Sequence, residues 1–388
     1  MKIVLSVPSG FHARELLMPL KALFEQNIEK ILCITPAANY RSTVFSSYGS
    51  QFDFVENPNT VEDHEKILKQ FSPDVVITTT AGLDTKDIAI LTAAQNLGIK
   101  TFTFVASWDN VWKMERLKQF GKPYVLANHL AVWNSMMKDH LLQAFPELTP
   151  EMISISGVPR LDYFWHHDHI PSKQDLFEYL GVADSSKKLI HIATTELYPM
   201  DYLVKAIATA PLPYPTQLYA SVHPGGNMNK HKTYAEKYSV AVRYSFGRQD
   251  NAPIPDFLYN PSVEDIYMLV ALFKHSSVLV NHSSTVAIES FAADVPVINV
   301  KYGKPLDWWK WYRSMVYRDF QQHYHDVVSD GATKVVKNKR QLVNALDNYL
   351  KDPLQDQANR AKTLQKMITV VDGSASSHMM NLIKQQLS

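Results

Sequence analysis

A single cysteine in 388 residues, Cys33, leaves this chain without any intramolecular disulfide, which agrees with a reducing compartment. Its neighbours Ile31, Leu32 and Ile34 mark it as a buried, inert thiol rather than a nucleophile. An excess of one charge is lacking too: 39 Lys and Arg stand against 38 Asp and Glu, a net charge of +1. A nucleic-acid binder normally carries a strongly basic balance, so nucleic acid is excluded as a partner. No apolar run approaches the roughly 20 residues that span a bilayer. The opening MKIVLSVPSG has an apolar stretch of about six residues before a loop, too short for a secretory leader, and reads as a first strand. No Gly-x-Gly-x-x-Gly follows any strand, which argues against a nicotinamide oxidoreductase. No Asp-x-Asp pair is present to hold a divalent cation, so neither metal nor cofactor is expected. These exclusions point to a cytoplasmic protein.

What remains is an ordinary composition, 46% hydrophobic and 20% charged, in a chain long enough for two domains. Apolar, strand-like runs alternate with helical patterns, the signature of parallel sheets covered by helices. Strands are expected over 3–7, 31–35, 75–79, 101–105, 129–133 and 153–156, with helices over 13–24, 61–71, 86–97 and 136–144. The series breaks at Gly157-Val158-Pro159-Arg160-Leu161-Asp162 and the polar stretch 165–173. It resumes with strands over 189–193, 217–222, 241–244, 278–281 and 295–300 and helices over 202–210, 264–273 and 285–293. A helix over 339–350 and a tail helix over 355–386 close the chain. The pattern predicts an α/β protein of two Rossmann-like domains, 1–157 and 158–354, with the tail 355–388 packing back on the first. Ligands of such sheets bind outside the carboxyl ends of the strands, and two facing domains make a cleft.

The stretch VLVNHSSTVAIESFAADVPVINV, residues 278–300, carries the most chemistry. It reads as buried strand, turn, helix and buried strand. Hydroxyls and free N–H groups of His282, Ser283, Ser284 and Thr285 at a helix start make a seat for phosphate. Glu289 lies one helical turn beyond, within reach of an attached sugar. His223-Pro224-Gly225-Gly226 ends another strand, where glycines let backbone N–H groups approach an anion and an imidazole can donate to it. The competing reading makes Ser284 a helix cap and the glycines an ordinary turn.

On these residues the chain resembles the two-domain nucleotide-sugar glycosyltransferases of the GT-B superfamily. Glu289-Ser290-Phe291-Ala292-Ala293-Asp294-Val295-Pro296 looks like their phosphate-turn helix and strand entry. His223-Pro224 and Ser283-Ser284 are similar to motifs of the bacterial sialyl- and Kdo-transferases. Residues 157–162 look like a loop of UDP-N-acetylglucosamine 2-epimerases and of surface-glycan transferases, and Ser107-Trp108-Asp109-Asn110 is similar to a loop in capsule and teichoic-acid relatives. The resemblance implies that Ser283, Ser284, Thr285, His282, His223 and Gly225 bind the donor phosphates and Glu289 the ribose. Retaining relatives carry a second glutamate where Asn281 stands, so inversion is implied. No acidic-acidic-Gly motif of the sialyltransferase kind occurs in the first domain.

An inverting transfer needs a base to take the acceptor's proton. His12, after the first strand with Arg14 and Glu15 beside it, is one candidate, with a suitable unperturbed pKa; the bland alternative is a helix-start histidine. Asp109 is the other, with Trp108 and Asn110 shaping an acceptor pocket; its alternative is an Asx turn. The aromatic run Trp308, Trp309, Trp311, Tyr312, Tyr317, Phe320 and Tyr324 suits sugar stacking, a membrane interface or plain packing. His166-His167-Asp168-His169 reads as a solvated linker, since adjacent positions rarely converge on one ion. Asn281-His282-Ser283 matches a glycosylation sequon that a cytoplasmic chain would not use. The expectation is thus a metal-independent glycosyltransferase, taking a CMP-, UDP- or CDP-linked donor to a glycan or lipid-linked acceptor, with peripheral membrane association in that case. The rivals are a UDP-sugar 2-epimerase, a CDP-glycerol glycerophosphotransferase and a non-catalytic nucleotide-sugar binder.

Overall fold

A computed structural model describes residues 1–8, 12, 28–36, 52–80, 85–223, 226–248, 261–306 and 308–387. Among these, the first strands are β1 (Lys2–Ser6), β2 (Lys30–Thr35), β3 (Phe52–Glu56), β4 (Val75–Thr78), β5 (Lys100–Phe104), β6 (His129–Val132) and β7 (Ile153–Ile155). They form a seven-stranded sheet in the order β3-β2-β1-β4-β5-β6-β7, parallel at every pairing. The second set is β8 (Lys188–Ala193), β9 (Thr216–Val222), β10 (Ala241–Tyr244), β11 (Ser276–Asn281), β12 (Val297–Val300) and β13 (Thr333–Val336). It forms a six-stranded parallel sheet in the order β10-β9-β8-β11-β12-β13. Central strands such as β1, β4, β8 and β11 are buried along nearly their whole length, as runs of Ile, Val and Leu covered on both faces require.

The chain divides into two compact units. One comprises Met1–Trp165 with Ile368–Ser388, the other His166–Arg248 and Val263–Met367. In the second unit, Ile190, Ile192, Val278 and Val280 of the sheet pack with Leu203, Val204 and Ile207 of helix Asp201–Ala208 and with Leu342 and Leu346 of helix Lys339–Lys351. Leu189 and Tyr219 face the other side, toward Leu176, Phe177 and Leu272.

The single tail helix expected over 355–386 is corrected: there are two helices, Gln357–Ile368 and Ala375–Leu387. Thr369 and Gly373, both at positive φ, turn the chain between them. The first helix stays in the second unit, where the fully buried Arg360 donates to Asp294 Oδ1 at 2.9 and 3.1 Å and to the carbonyls of Gln355 and Pro353. The second belongs to the first unit and is clasped by the 157–162 loop. A Cβ on Gly157 would stand 2.8 Å from Val370 Cβ, so the tail passes where only glycine fits. Asp162 accepts from the backbone N–H groups of Ala375 and Ser376 and from the Ser376 hydroxyl, at 3.2, 2.8 and 2.6 Å. It thereby caps the last helix. Burial nonetheless pushes its carboxyl above the usual range, against those donors. In this chain, then, the loop expected from surface-glycan enzymes ties down the tail.

Candidate functional site

The second sheet reverses its direction of growth between β8 and β11: the chain runs outward from β8 to β9 and β10, and the opposite way from β11 to β12 and β13. The carboxyl ends of strands at such a switch point are where open α/β sheets bind ligands. Thr194 leaves β8 there, residues 282–285 leave β11, and His223 leaves β9 alongside. The His223 N–H donates to Thr194 Oγ1 at 3.3 Å, joining two of these exits. The exposed imidazole of His223 sits on the tight turn closed by Gly226 N–H on the His223 carbonyl, 2.7 Å.

A neutral buried network holds the 282–285 turn. Asn299 on β12 places Nδ2 2.6 Å from Asn281 Oδ1, 2.8 Å from the His282 carbonyl and 2.9 Å from the Tyr324 hydroxyl. Tyr324 in turn donates to the Ser284 carbonyl at 3.3 Å. The carbonyls of His282 and Ser284 are thus satisfied from within, while Ser283, Ser284 and Thr285 remain half-buried. Capping does not consume the Ser284 hydroxyl: the Val286 N–H lies 3.5 Å from it, at the limit of a hydrogen bond. The following helix, Val286–Ala292, has only seven residues. Hydroxyls and backbone N–H groups therefore matter more here than a macrodipole. Glu289, expected on the ribose, lies on that helix with 5% of its surface exposed.

The donor-binding expectation for His282 is not met. Its ring is 2% exposed, among Tyr198, Tyr202 and Trp311. Nδ1 donates to the Val300 carbonyl at 2.8 Å, and burial lowers its pKa to about 4. The neutral ring thus keeps its only proton on an inward bond and has no N–H to offer a phosphate. The Ser283 hydroxyl donates to Asp319 Oδ2 at 3.3 Å. Thr194, Asn299 and Asp319 were not expected from the sequence, and Tyr324 was expected only as one of the aromatic run. Asn299 alone left a signal, an amide inside the otherwise apolar strand VINV.

In the first unit, Asp109 has both oxygens engaged: Ser107 Oγ donates at 2.5 Å and Lys113 Nζ lies 2.7 Å away. Both partners are side chains, and the carboxylate caps no backbone N–H of the following helix. Trp108 is 2% exposed and packs edge-on against Trp112, and Asn110 is buried. Neither side chain offers a face to an acceptor, which corrects that expectation. His12 is half-buried at a helical position. Arg14, Glu15 and Gly225 lie outside the described residues. His166 meets Tyr267 and His167 meets Lys274, so the His166–His169 stretch does not converge. Among the described residues, no group of three or more His, Cys, Asp or Glu is placed to hold a metal ion. None of the described helices is long and apolar enough to cross a membrane.

The aromatic segment proves two-sided. Trp311, Val316, Phe320 and Tyr324 are buried, Trp311 against His282 and Tyr198, whereas Leu306, Trp309, Tyr312 and Met315 are exposed.

Solved structures share the fold of this chain. It superimposes over 99% of its length on all of the UDP-GlcNAc 2-epimerase from Neisseria meningitidis bound to UDP-GlcNAc, with a TM-score of 0.68 and 15% identity. The fold is of the GT-B type. Two further solved structures agree. MnaA of S. aureus in a co-structure with UDP matches with a TM-score of 0.63 at 17% identity, covering 100% of this chain and 96% of that one. A glycosyltransferase from Rickettsia africae matches with a TM-score of 0.57 at 13% identity, covering 100% and 98%. In sequence, residues 238–385 match the family described as CDP-Glycerol:Poly(glycerophosphate) glycerophosphotransferase. No curated protein matches the chain.

Proposed function

We propose that this protein is a transferase that takes a group from a nucleotide-activated donor to a hydroxyl acceptor, and that the group is a glycerophosphoryl unit from CDP-glycerol. The observation that carries this reading is the family match over 238–385, which contains the 282–285 turn, Glu289 and Asn299. The structural likenesses, at 13–17% identity, support the fold and leave the chemistry to the site.

In the proposed reaction the acceptor oxygen attacks the phosphorus bearing glycerol, the phosphoanhydride bond breaks, and CMP leaves with the electron pair. Ser284 and Thr285 would donate to the diphosphate, with His223 beside them and Glu289 toward the ribose. Donors already aimed at the leaving phosphate stabilise its growing charge without reorganising, usually a large share of catalysis. Ser283 would contribute only on leaving Asp319. His12 would take the acceptor's proton; Asp109, occupied by Ser107 and Lys113, is less suited. The acceptor would be a glycan or polyol-phosphate chain, carried on lipid if the exposed Trp309 face meets a membrane.

Sugar transfer from a nucleotide-sugar, with inversion, is the second reading, favoured by the likeness to the R. africae glycosyltransferase. Incubation with CDP-glycerol and a glycerophosphate-chain acceptor tests the choice. Acceptor-dependent CMP release is expected, and it should persist in EDTA. Release of UDP from UDP-sugars or of CMP from CMP-sugars, with none from CDP-glycerol, would move the reading to glycosyl transfer. Epimerisation of UDP-N-acetylglucosamine without acceptor would overturn both.

A further inference from the structure

A second cavity-bearing surface of the second unit has no part in that reaction. It lies between helix Asp201–Ala208 and helix Asn229–Tyr238, with a volume of about 520 Å3, and the 195–200 segment after β8 forms one wall. At its base His231 is 5% exposed and its Nδ1 sits 2.5 Å from the Tyr234 hydroxyl. The other ring nitrogen, Nε2, is buried without a hydrogen-bond partner. Its nearest acidic atom, Glu196 Oε1, is 3.8 Å off, too far for a hydrogen bond. Burial lowers the pKa of this imidazole below its ordinary value, against the pull of Glu196, which favours the neutral ring. The tautomer that accepts the phenol's proton at Nδ1 turns an unused N–H toward Glu196 and the cavity. A buried donor left this way calls for an acceptor that is not part of the chain.

The charges around the cavity do not cancel. Glu196 is paired with Lys230 at 2.8 Å and Asp201 with Lys304 at 2.8 Å. Lys205 and Lys237 also line the space, and among the described residues neither has a carboxylate partner. The remaining wall sets Tyr198, Tyr234 and Tyr238 beside the apolar Leu197, Pro199 and Met200. A ligand matching all three features carries an anionic group on a flat, apolar body.

We propose that this cavity is a second binding site, for a small organic phosphate with an aromatic ring. The His231 N–H meets one phosphate oxygen, Lys205 and Lys237 balance the charge, and the tyrosines cover the ring. The site adjoins the first through two contacts. Glu196 Oε1 lies 2.8 Å from where a Cβ on Gly226 would stand, close beside that residue. The Tyr198 ring stands edge-on to His282 at 5.8 Å. Occupation therefore bears on both loops that carry the proposed donor contacts, and the affinity for nucleotide changes with it. By reciprocity nucleotide changes the affinity here by the same factor.

Calorimetric titration with phenyl phosphate tests this, with inorganic phosphate and benzyl alcohol as half-probes lacking the ring or the charge. Saturable binding is expected for phenyl phosphate, tighter than for either half-probe. The Lys205→Glu/Lys237→Glu variant changes only exposed side chains; it should lose about tenfold in affinity, about 1.4 kcal/mol, with an unchanged melting temperature. His231→Phe should lose binding as well. Ser284→Ala should leave it intact. The proposal is overturned if phenyl phosphate shows no saturable binding, or binds the charge-reversed variant equally well. It is overturned too if binding vanishes in Ser284→Ala, because the probe would then sit on the 282–285 turn and the transferase reading would be untouched. Conversely, absence of CMP release alongside normal phenyl phosphate binding would sink the transferase reading and leave this site standing.

Discussion

The two sheets solve the same problem at their switch points with opposite chemistry. In the first, the exits of β1 and β4 are joined by the buried carboxylate of Asp87, which accepts from Ser6 Oγ at 2.6 Å, from the Thr80 N–H at 3.1 Å and from the Thr80 hydroxyl. In the second, the neutral amide of Asn299 holds the turn leaving β11. A buried negative charge repels any anion brought near it, whereas an amide fixes the backbone without that cost. On the proposed reading, the same topology gives one end that disfavours an anion and one that takes the donor's phosphates. Asp319 beside Ser283 is the local exception, and it directs the proposed phosphate contacts to Ser284 and Thr285.

The largest effect should come from removing those contacts. The Ser284→Ala/Thr285→Ala variant is expected to lose about 10²–10³ in the rate of CMP release, by analogy with loss of a preorganised donor, while keeping its melting temperature. A rate within tenfold of the parent would show that the hydroxyls do not serve the leaving group.

Exchanging the pivots tests the comparison itself. Asn299→Asp places a carboxylate against the His282 carbonyl and should cost about 3 kcal/mol in stability and abolish binding of CDP in calorimetry. Asp87→Asn should cost about 1–3 kcal/mol through lost charge-assisted bonds and leave CDP binding unchanged. If both variants weakened CDP alike, the division of labour between the two ends would fail.

The pH response should be of similar size in stability, with no change in chemistry at the site. His282 is held near a pKa of about 4 and His191 near about 3, both by burial, below the ordinary value of 6.5. The unfolded chain therefore binds these protons first. The stability these rings contribute is whole above pH 6.5 and is lost as pH falls toward the folded values, by about 1.4 kcal/mol per unit for each ring. Urea melts at pH 7 and pH 5 should show it, and His282→Phe should flatten the slope. An unchanged slope would mean that His282 titrates freely.

The smallest effect concerns the exposed aromatic face. Trp309→Ser with Tyr312→Ser should lower sedimentation with phosphatidylglycerol vesicles several-fold and leave calorimetric CDP binding alone. Equal sedimentation would assign that face to packing or to glycan contact.

Much of the fold was legible because buried parallel strands announce themselves as unbroken apolar runs. The helix Val61–Phe71 was legible to the residue, since Thr60 caps it and Ser72 ends it in the left-handed region. Strand β3 escaped notice because its edge position leaves FDFVE half-polar. The tail broke in two where Gly373 already hinted at it, but the clasp by Asp162 spans more than two hundred residues and leaves no local trace. At the site, hydroxyls and glycines were visible as types. Which face each presents was not: His282 and Trp108 looked like ligands and are packing, because burial is decided by neighbours distant in sequence.

The most direct measurement is the structure of the protein crystallised with CDP-glycerol. The account predicts the diphosphate within hydrogen-bonding distance of the Ser284 and Thr285 hydroxyls and its ribose toward Glu289. A diphosphate seated instead at Thr80, beside the carboxylate of Asp87, would contradict it.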